Sequence, residues 1–202
     1  MKSRGLLIVL AIVGALSVLV VGFALYGVGI YNKLVGLDEG VQSAWSQVEN
    51  QYQRRAELIP NLVETVKGFA SQEKTVLLGV TEARAKVSQI TVTKEVLEDP
   101  NAFAKFQAAQ DQFSSAISRL LAVSENYPLL KSNENFLALQ NQLEGTENRI
   151  AVERRNYNQI VQIYNTTIRR FPGSMVAGFG GFREKQYFKA KEGAETAPQV
   201  KF

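Results

Sequence analysis

The 202-residue chain contains no cysteine, no histidine and only five prolines. Without cysteine there is no disulfide, no thiolate metal site and no cysteine to carry a lipid. Without histidine the commonest general base and the commonest zinc ligand are missing, as are the Glu-x-x-His ligands of a di-iron helical bundle. These two gaps exclude most enzyme chemistries, so no catalytic residue, no metal and no cofactor is expected. A strong excess of charge is also lacking. The net charge is +4 from 23 basic and 19 acidic residues, and setting Lys2 and Arg4 aside leaves 21 against 19. No Lys/Arg stripe interleaved with aromatics runs along the chain, so nucleic acid is not an expected partner. The length suits one domain with a core, plus an anchor.

The anchor is the longest apolar run. From Gly5 to Tyr31, "GLLIVLAIVGALSVLVVGFALYGVGIY" carries no charge over 27 residues. At about 1.5 Å per residue it exceeds a hydrocarbon core of roughly 30 Å, and a signal-peptide core is shorter and ends in a small-x-small site. A single transmembrane helix within residues 1–31 is therefore expected, meeting the bilayer through residues 5–31. Lys2 and Arg4 precede the run, whereas Lys33, Asp38 and Glu39 beyond it nearly cancel. The positive-inside rule then places the N-terminus in the cytoplasm and the remainder outside a bacterial cytoplasmic membrane.

Residues 32–171 read as helix. Glycine is concentrated in the anchor and tail, and apolar residues recur at steps of three and four. One series is Val41, Trp45, Val48, Tyr52, Ile59, Leu62, Val66 and Phe69, with Arg55 in an apolar slot. A second is Phe106, Ala109, Phe113, Ala116, Leu120, Val123 and Tyr127. The third is Phe136, Leu139, Leu143, Ile150, Tyr157, Val161, Tyr164, Ile168 and Phe171. Such seams fit an all-α fold of long antiparallel helices at shallow crossing angles.

Boundary signals divide this region. Asp99-Pro100 suits an N-cap followed by proline, Pro128 ends that helix, Ser132 can cap the next, and Pro172-Gly173 stop the last. Near Gly68 two readings stand. The first series continues in phase through Val76, Val80, Ala83 and Val87, which fits one helix kinked at Pro60. Gly68 as a C-terminal cap and Ser71 as an N-terminal one instead make a hairpin. Helix lengths favour the hairpin and hence four helices, near 32–68, 71–89, 100–127 and 131–171, with loop 90–99 joining the shorter two.

Few segments could carry chemistry. In "QRRAELIPNLVETVKGF" Pro60 interrupts the helical pattern and Arg55 falls on the seam. The structural reading packs the Arg55 stem and pairs its guanidinium with Glu144, Glu147 or Glu153. The functional reading makes Arg54, Arg55 and Asn61 an exposed patch for an anionic partner. Ser71 to Lys74, "SQEK", matches Ser-x-x-Lys, but the companion motifs of serine acyl-transfer enzymes are absent. Asn165-Thr166-Thr167 is a sequon that decides nothing by itself.

Two pairs, Tyr157-Asn158 and Tyr164-Asn165, lie seven residues apart on the third seam. Their rings are expected inside and their polar groups paired, so that together they fix helix register. A binding groove lined by these residues is the alternative. Residues 172–202 read as a flexible tail rich in glycine and aromatics, in which Phe179 and Phe182 are candidates for contact with a membrane or partner.

The apolar N-terminal segment, "YNKLVGLDEGVQSAWSQVENQYQRRAELIPNLVETVKGF", "VTEARAKV", "ENYPLLKSNENFLALQNQLEGTENRIAVERRNYNQIVQIYNTTIRRFPG" and the closing "GFGGF" together resemble the LemA family. The resemblance covers nearly all of residues 1–188. It implies a single-pass bacterial membrane protein with an antiparallel four-helix bundle and no established activity, cofactor or ligand. The expectation is a non-enzymatic envelope scaffold that binds a membrane or envelope protein or further copies of itself. A ligand-binding sensor is the rival.

Overall fold

The computed structural model describes residues 2–190. Helices account for all the regular structure among them. In order they are α1 (Lys2–Phe69), α2 (Lys74–Ser88), α3 (Lys94–Glu98), α4 (Pro100–Val123), a 3-10 turn (Ser124–Asn126), α5 (Pro128–Lys131), α6 (Glu134–Arg169) and α7 (Gly173–Gly180). Within the described residues the chain divides into two compact units. One comprises 2–42 and 162–184, the other 43–161 and 185–190.

In the first unit, α1 carries the charge-free run as unbroken helix, long and apolar enough to cross a membrane. Side chains such as Leu19 and Phe23 face away from the protein, both about two-thirds exposed. Burial begins at Leu34, where the seam takes over. α7 follows the end of α6 and turns its small residues inward. Gly173 and Ala177 are buried, and a Cβ at Gly173 would lie 2.2 Å from the Thr167 carbonyl oxygen.

The second unit is built on α1, α2, α4 and α6. Ile59, Leu62 and Val66 of α1, Leu77, Val80 and Val87 of α2, Phe113, Ala116, Ile117, Leu120 and Val123 of α4, and Phe136 and Leu143 of α6 form one buried cluster. Leu130 of α5 closes it. The three- and four-residue spacing accounts for this, because it gathers each helix's apolar residues on one face.

The break between α1 and α2 falls at residues 70–73, so residues 32–89 form two helices. Ser71 is exposed and does not cap. Glu73 holds the N-cap position of α2 without a capping bond, which corrects the expected role of Ser71. Asp99 does cap α4, its Oδ1 accepting from the amides of Asn101 (2.7 Å) and Ala102 (3.0 Å). Those amides hold its carboxyl below the usual carboxylate range. At α6 the cap is Asn133, whose Oδ1 accepts from Phe136 N at 3.0 Å. Ser132 instead donates back to the carbonyls of Pro128 and Leu129, a second correction. The loop expected at 90–99 contains the single turn α3, which buries Leu97.

The tail departs furthest from expectation. Residues 173–180 are helical, and Lys185 and Phe188 are buried at 3% and 7% exposure. The flexible reading thus fails through residue 190, because these side chains have partners described below. Its remainder, 191–202, lies outside the described residues.

Pro60 sits inside α1 on the exposed side. Lacking an amide hydrogen, it leaves the Ala56 carbonyl one turn earlier without its helical donor. Arg84 of α2 supplies the missing bond, its Nε donating to Ala56 O at 2.8 Å. The proline therefore creates the acceptor that ties α2 to α1. Arg84→Met is expected to cost about 1 kcal/mol in the parent chain. In a Pro60→Ala background, where residue 60 regains its amide, the cost should largely vanish. Denaturant titration of the four proteins checks this, and equal losses in both backgrounds would contradict it.

Candidate functional site

The most polar feature of the interior is centred on Arg55, in the second unit. Its helical phase places it between Tyr52 and Ile59 on the buried face of α1, and it is 1% exposed. Nη1 donates to Ser114 Oγ of α4 and to Glu147 Oε1 of α6, each at 2.7 Å. Nη2 donates to Gln110 Oε1 of α4 at 2.5 Å. The guanidinium also lies 5.2 Å from the Tyr52 ring centroid and 5.0 Å from that of Phe113. One side chain thereby joins three helices. Glu147 is the partner that sequence reading had offered beside Glu144 and Glu153. Arg55 cannot belong to an exposed anion-binding patch, since the seam that makes it apolar-facing also encloses it. Arg54 and Asn61 do lie exposed on α1.

Next to this network lies an aromatic cluster. Trp45 packs edge-on to Phe106 (5.4 Å between centroids) and Tyr157 (5.7 Å), and stacks on Phe188 at 6.0 Å. Phe103 lies 5.0 Å from Phe188. Arg154 donates from Nε to the Tyr52 hydroxyl at 2.7 Å and spans the Phe188 ring at 4.8 Å. Burial raises the Tyr52 hydroxyl pKa, although Arg154 pulls it the other way.

Phe188 arrives on a segment without regular structure that other side chains hold by its backbone. Asn158 accepts from Phe188 N and donates to Phe188 O, both at 2.9 Å. Gln107 does the same for Lys189, at 3.2 and 2.9 Å. Gln186 N donates to Leu97 O at 2.8 Å, and Lys185 Nζ reaches Glu98 at 2.8 Å with little exposure on either side. Amide side chains here do the work of a neighbouring strand, which makes the segment part of the packed unit.

The four proposed register residues divide. Asn158 clamps the segment just described. In the first unit, Tyr164 is fully buried and its hydroxyl donates to Arg183 O at 2.9 Å, while Asn165 is 3% exposed. Tyr157 is fully buried, but its hydroxyl has no hydrogen-bond partner. The expectation that the tyrosine hydroxyls and asparagines pair with each other or with facing backbone and side chains fails at the Tyr157 hydroxyl. Burial raises its pKa far above the ordinary tyrosine value. Phe179 is 92% exposed and Phe182 partly exposed.

Three clefts formed by described residues stand out on the second unit. The largest, about 1020 Å³, is lined by Asp111, Glu144, Glu147, Arg154, Arg155 and Asn158 among others, with both charge signs interleaved. A second, about 920 Å³, lies along α2 and α4, and a third, about 360 Å³, beside Trp45 and Arg84. Tyr157 and Tyr164 line none of the three. Among the described residues no group of three or more carboxylates is placed to hold a metal.

Comparison with known proteins gives a match to the LemA family over residues 44–202. The chain belongs to the LemA family. Among curated proteins it is similar to magnetosome protein MamQ 2 of Paramagnetospirillum magneticum, 29% identical over 96% of this chain and 76% of that one. The magnetosome protein MamQ of Magnetospirillum gryphiswaldense is 28% identical over 84% of this chain and 70% of that protein. The protein LemA of Metamycoplasma hominis is 27% identical over 74% and 64% respectively.

In this LemA-family chain, sequence reading missed Gln110, Ser114, Arg84, Gln107 and the Lys185–Glu98 pair. Gln110 left a trace, since it stands in phase with the seam four residues after Phe106 and three before Phe113. The others depend on which helices adjoin, and spacing carries no such signal. Two predictions follow from the geometry. Removing one partner of a fully enclosed ion pair costs roughly 3–5 kcal/mol, but Glu147 is 40% exposed, so Arg55→Met is expected to cost about 2 kcal/mol. Denaturant unfolding measures it, and a loss within error of zero would contradict the network. The tyrosines should behave differently from each other. Tyr164→Phe is expected to cost about 1 kcal/mol, whereas Tyr157→Phe should be neutral or slightly stabilising because no bond is lost. Thermal unfolding of the two variants distinguishes them, and equal losses would contradict the assignment.

Proposed function

We propose that this LemA-family chain is a non-enzymatic scaffold of the bacterial envelope. It crosses the cytoplasmic membrane once, through residues 5–31, with its N-terminus inside and the helices beyond residue 31 outside. It acts by binding another membrane or envelope protein, or further copies of itself. The observation that carries this reading is the enclosure of Arg55, whose guanidinium is bonded to Gln110, Ser114 and Glu147. The polar residues most suggestive of a site are bonded to Arg55 from two neighbouring helices, where they align the fold.

The same contacts support an antiparallel four-helix bundle of α1, α2, α4 and α6. Going up α1, residues 45, 52 and 55 meet α6 at 157, 154 and 147, so the two run oppositely. Residues 45 and 55 meet α4 at 106 and 114, so that pair runs together. Exposed residues remain for partners, among them Arg54, Asn61, Leu78 and Leu129. Relatives named for the magnetosome, and not for a reaction, also favour the non-enzymatic reading. The rival sensor draws less support, since its groove requires tyrosine rings that here are enclosed.

Crosslinking in native membranes followed by mass spectrometry is the test. The expected result is a reproducible adduct with one envelope or membrane protein or with a second copy. A chain found consistently alone would overturn the scaffold reading.

A further inference from the structure

The first unit carries an apolar row that faces away from the protein. Phe171 stands in the turn before α7, and Met175 and Phe179, four residues apart, lie along one side of that helix. They are 76%, 48% and 92% exposed. The opposite side of α7 is the buried one, with Gly173 and Ala177. A soluble surface helix has the reverse arrangement, its apolar stripe turned to the core.

The position of α7 along α1 indicates what covers this row. Directly after α7, Gly181 adopts φ +71° and turns the chain so that the Phe182 ring meets Tyr31 edge-on, 5.6 Å between centroids. Gly180 permits the approach, because a Cβ there would lie 2.7 Å from the Phe182 ring and 3.2 Å from Tyr31. Tyr31 is the last residue of the charge-free run, the level at which a spanning helix leaves the hydrocarbon and where tyrosine is favoured. α7 itself bears no charge, while Arg170 and Arg183 flank it and are exposed.

We propose that α7 is a second membrane contact, lying in the boundary between headgroups and acyl chains with Phe171, Met175 and Phe179 in lipid. The inference rests on the reading of residues 5–31 as the membrane span. α1 alone would leave the protein free to pivot at its exit from the bilayer. A second lipid contact beside Tyr31 fixes the tilt and rotation of the first unit against the membrane plane.

The chain has no native cysteine, so single substitutions give unique labels on the full-length protein. Spin labels would be placed at Phe179→Cys, at Val20→Cys within the apolar run, and at Leu129→Cys, which is 76% exposed on the second unit. In proteoliposomes of phosphatidylethanolamine and phosphatidylglycerol, collisions with oxygen report lipid and collisions with a water-soluble nickel chelate report water. The expected result is that positions 179 and 20 favour oxygen while 129 favours nickel. If 179 behaves like 129 while 20 stays in lipid, the second contact is refuted and the anchor stands. If 179 is shielded from both reagents, protein covers it and the proposal is also refuted. If 20 favours nickel, the anchor reading fails first and the inference with it. Labels at Phe171→Cys and Met175→Cys should share the preference of 179, and an aqueous signal from either breaks the row.

Discussion

A guanidinium held out of water between three helices constrains everything around it. Arg55 is 1% exposed, so its charge is tolerable only while Ser114, Gln110 and Glu147 stay in place. Sliding α4 or α6 by one turn would carry these partners several ångströms away and strand the charge. Apolar seams alone admit such slips, since one heptad of leucines resembles the next. The arginine distinguishes one register from its neighbours, and the aromatic rings of Tyr52 and Phe113 lie against the same guanidinium.

The other polar contacts extend this logic. Pro60 removes one hydrogen bond from α1 and thereby frees a carbonyl, which Arg84 of α2 satisfies. Asn158 and Gln107 read the backbone of residues 188 and 189, and Lys185 pairs with Glu98, so a segment without regular structure becomes part of the packing. Each device converts a local liability into a contact between distant parts of the sequence. Internal bonding of this kind leaves the outer surface to the partners that the proposed scaffold role calls for. In the first unit the exposed Phe171, Met175 and Phe179 would, on the proposal above, give the membrane a second role as an orienting surface.

How much of this was legible in advance depended on the range of the interaction. Helical periodicity identified the seams because it is written every three or four residues, and all of Val41, Trp45, Val48, Tyr52, Ile59, Leu62 and Val66 are buried. The charge-free run gave the apolar helix through its length. The two exceptions at seam ends, Phe69 and Phe171, are exposed, and both stand at or beyond the end of their helix. Caps were legible at Asp99, where proline follows, and misplaced by one or two residues at Ser71 and Ser132, where several polar residues compete for the position. The tail was misread because glycine-rich composition resembles a linker. Its glycines instead permit close approach at Thr167 and Tyr31, which only the fold reveals. Tyr157 kept its ring in the expected place while its hydroxyl found no partner, since spacing determines burial but not what faces a given atom.

The central claim is that buried polar side chains of this chain act as couplings between helices. A double-mutant cycle on Arg55 and Gln110, joined at 2.5 Å and each nearly inaccessible to solvent, tests it most directly. With Arg55→Met, Gln110→Leu and the double variant unfolded by denaturant, the account predicts a coupling of about 1–3 kcal/mol, so the double variant loses less than the sum of the singles. Strictly additive losses would show that the two residues do not hold each other, and the account of alignment by buried polar contacts would be wrong.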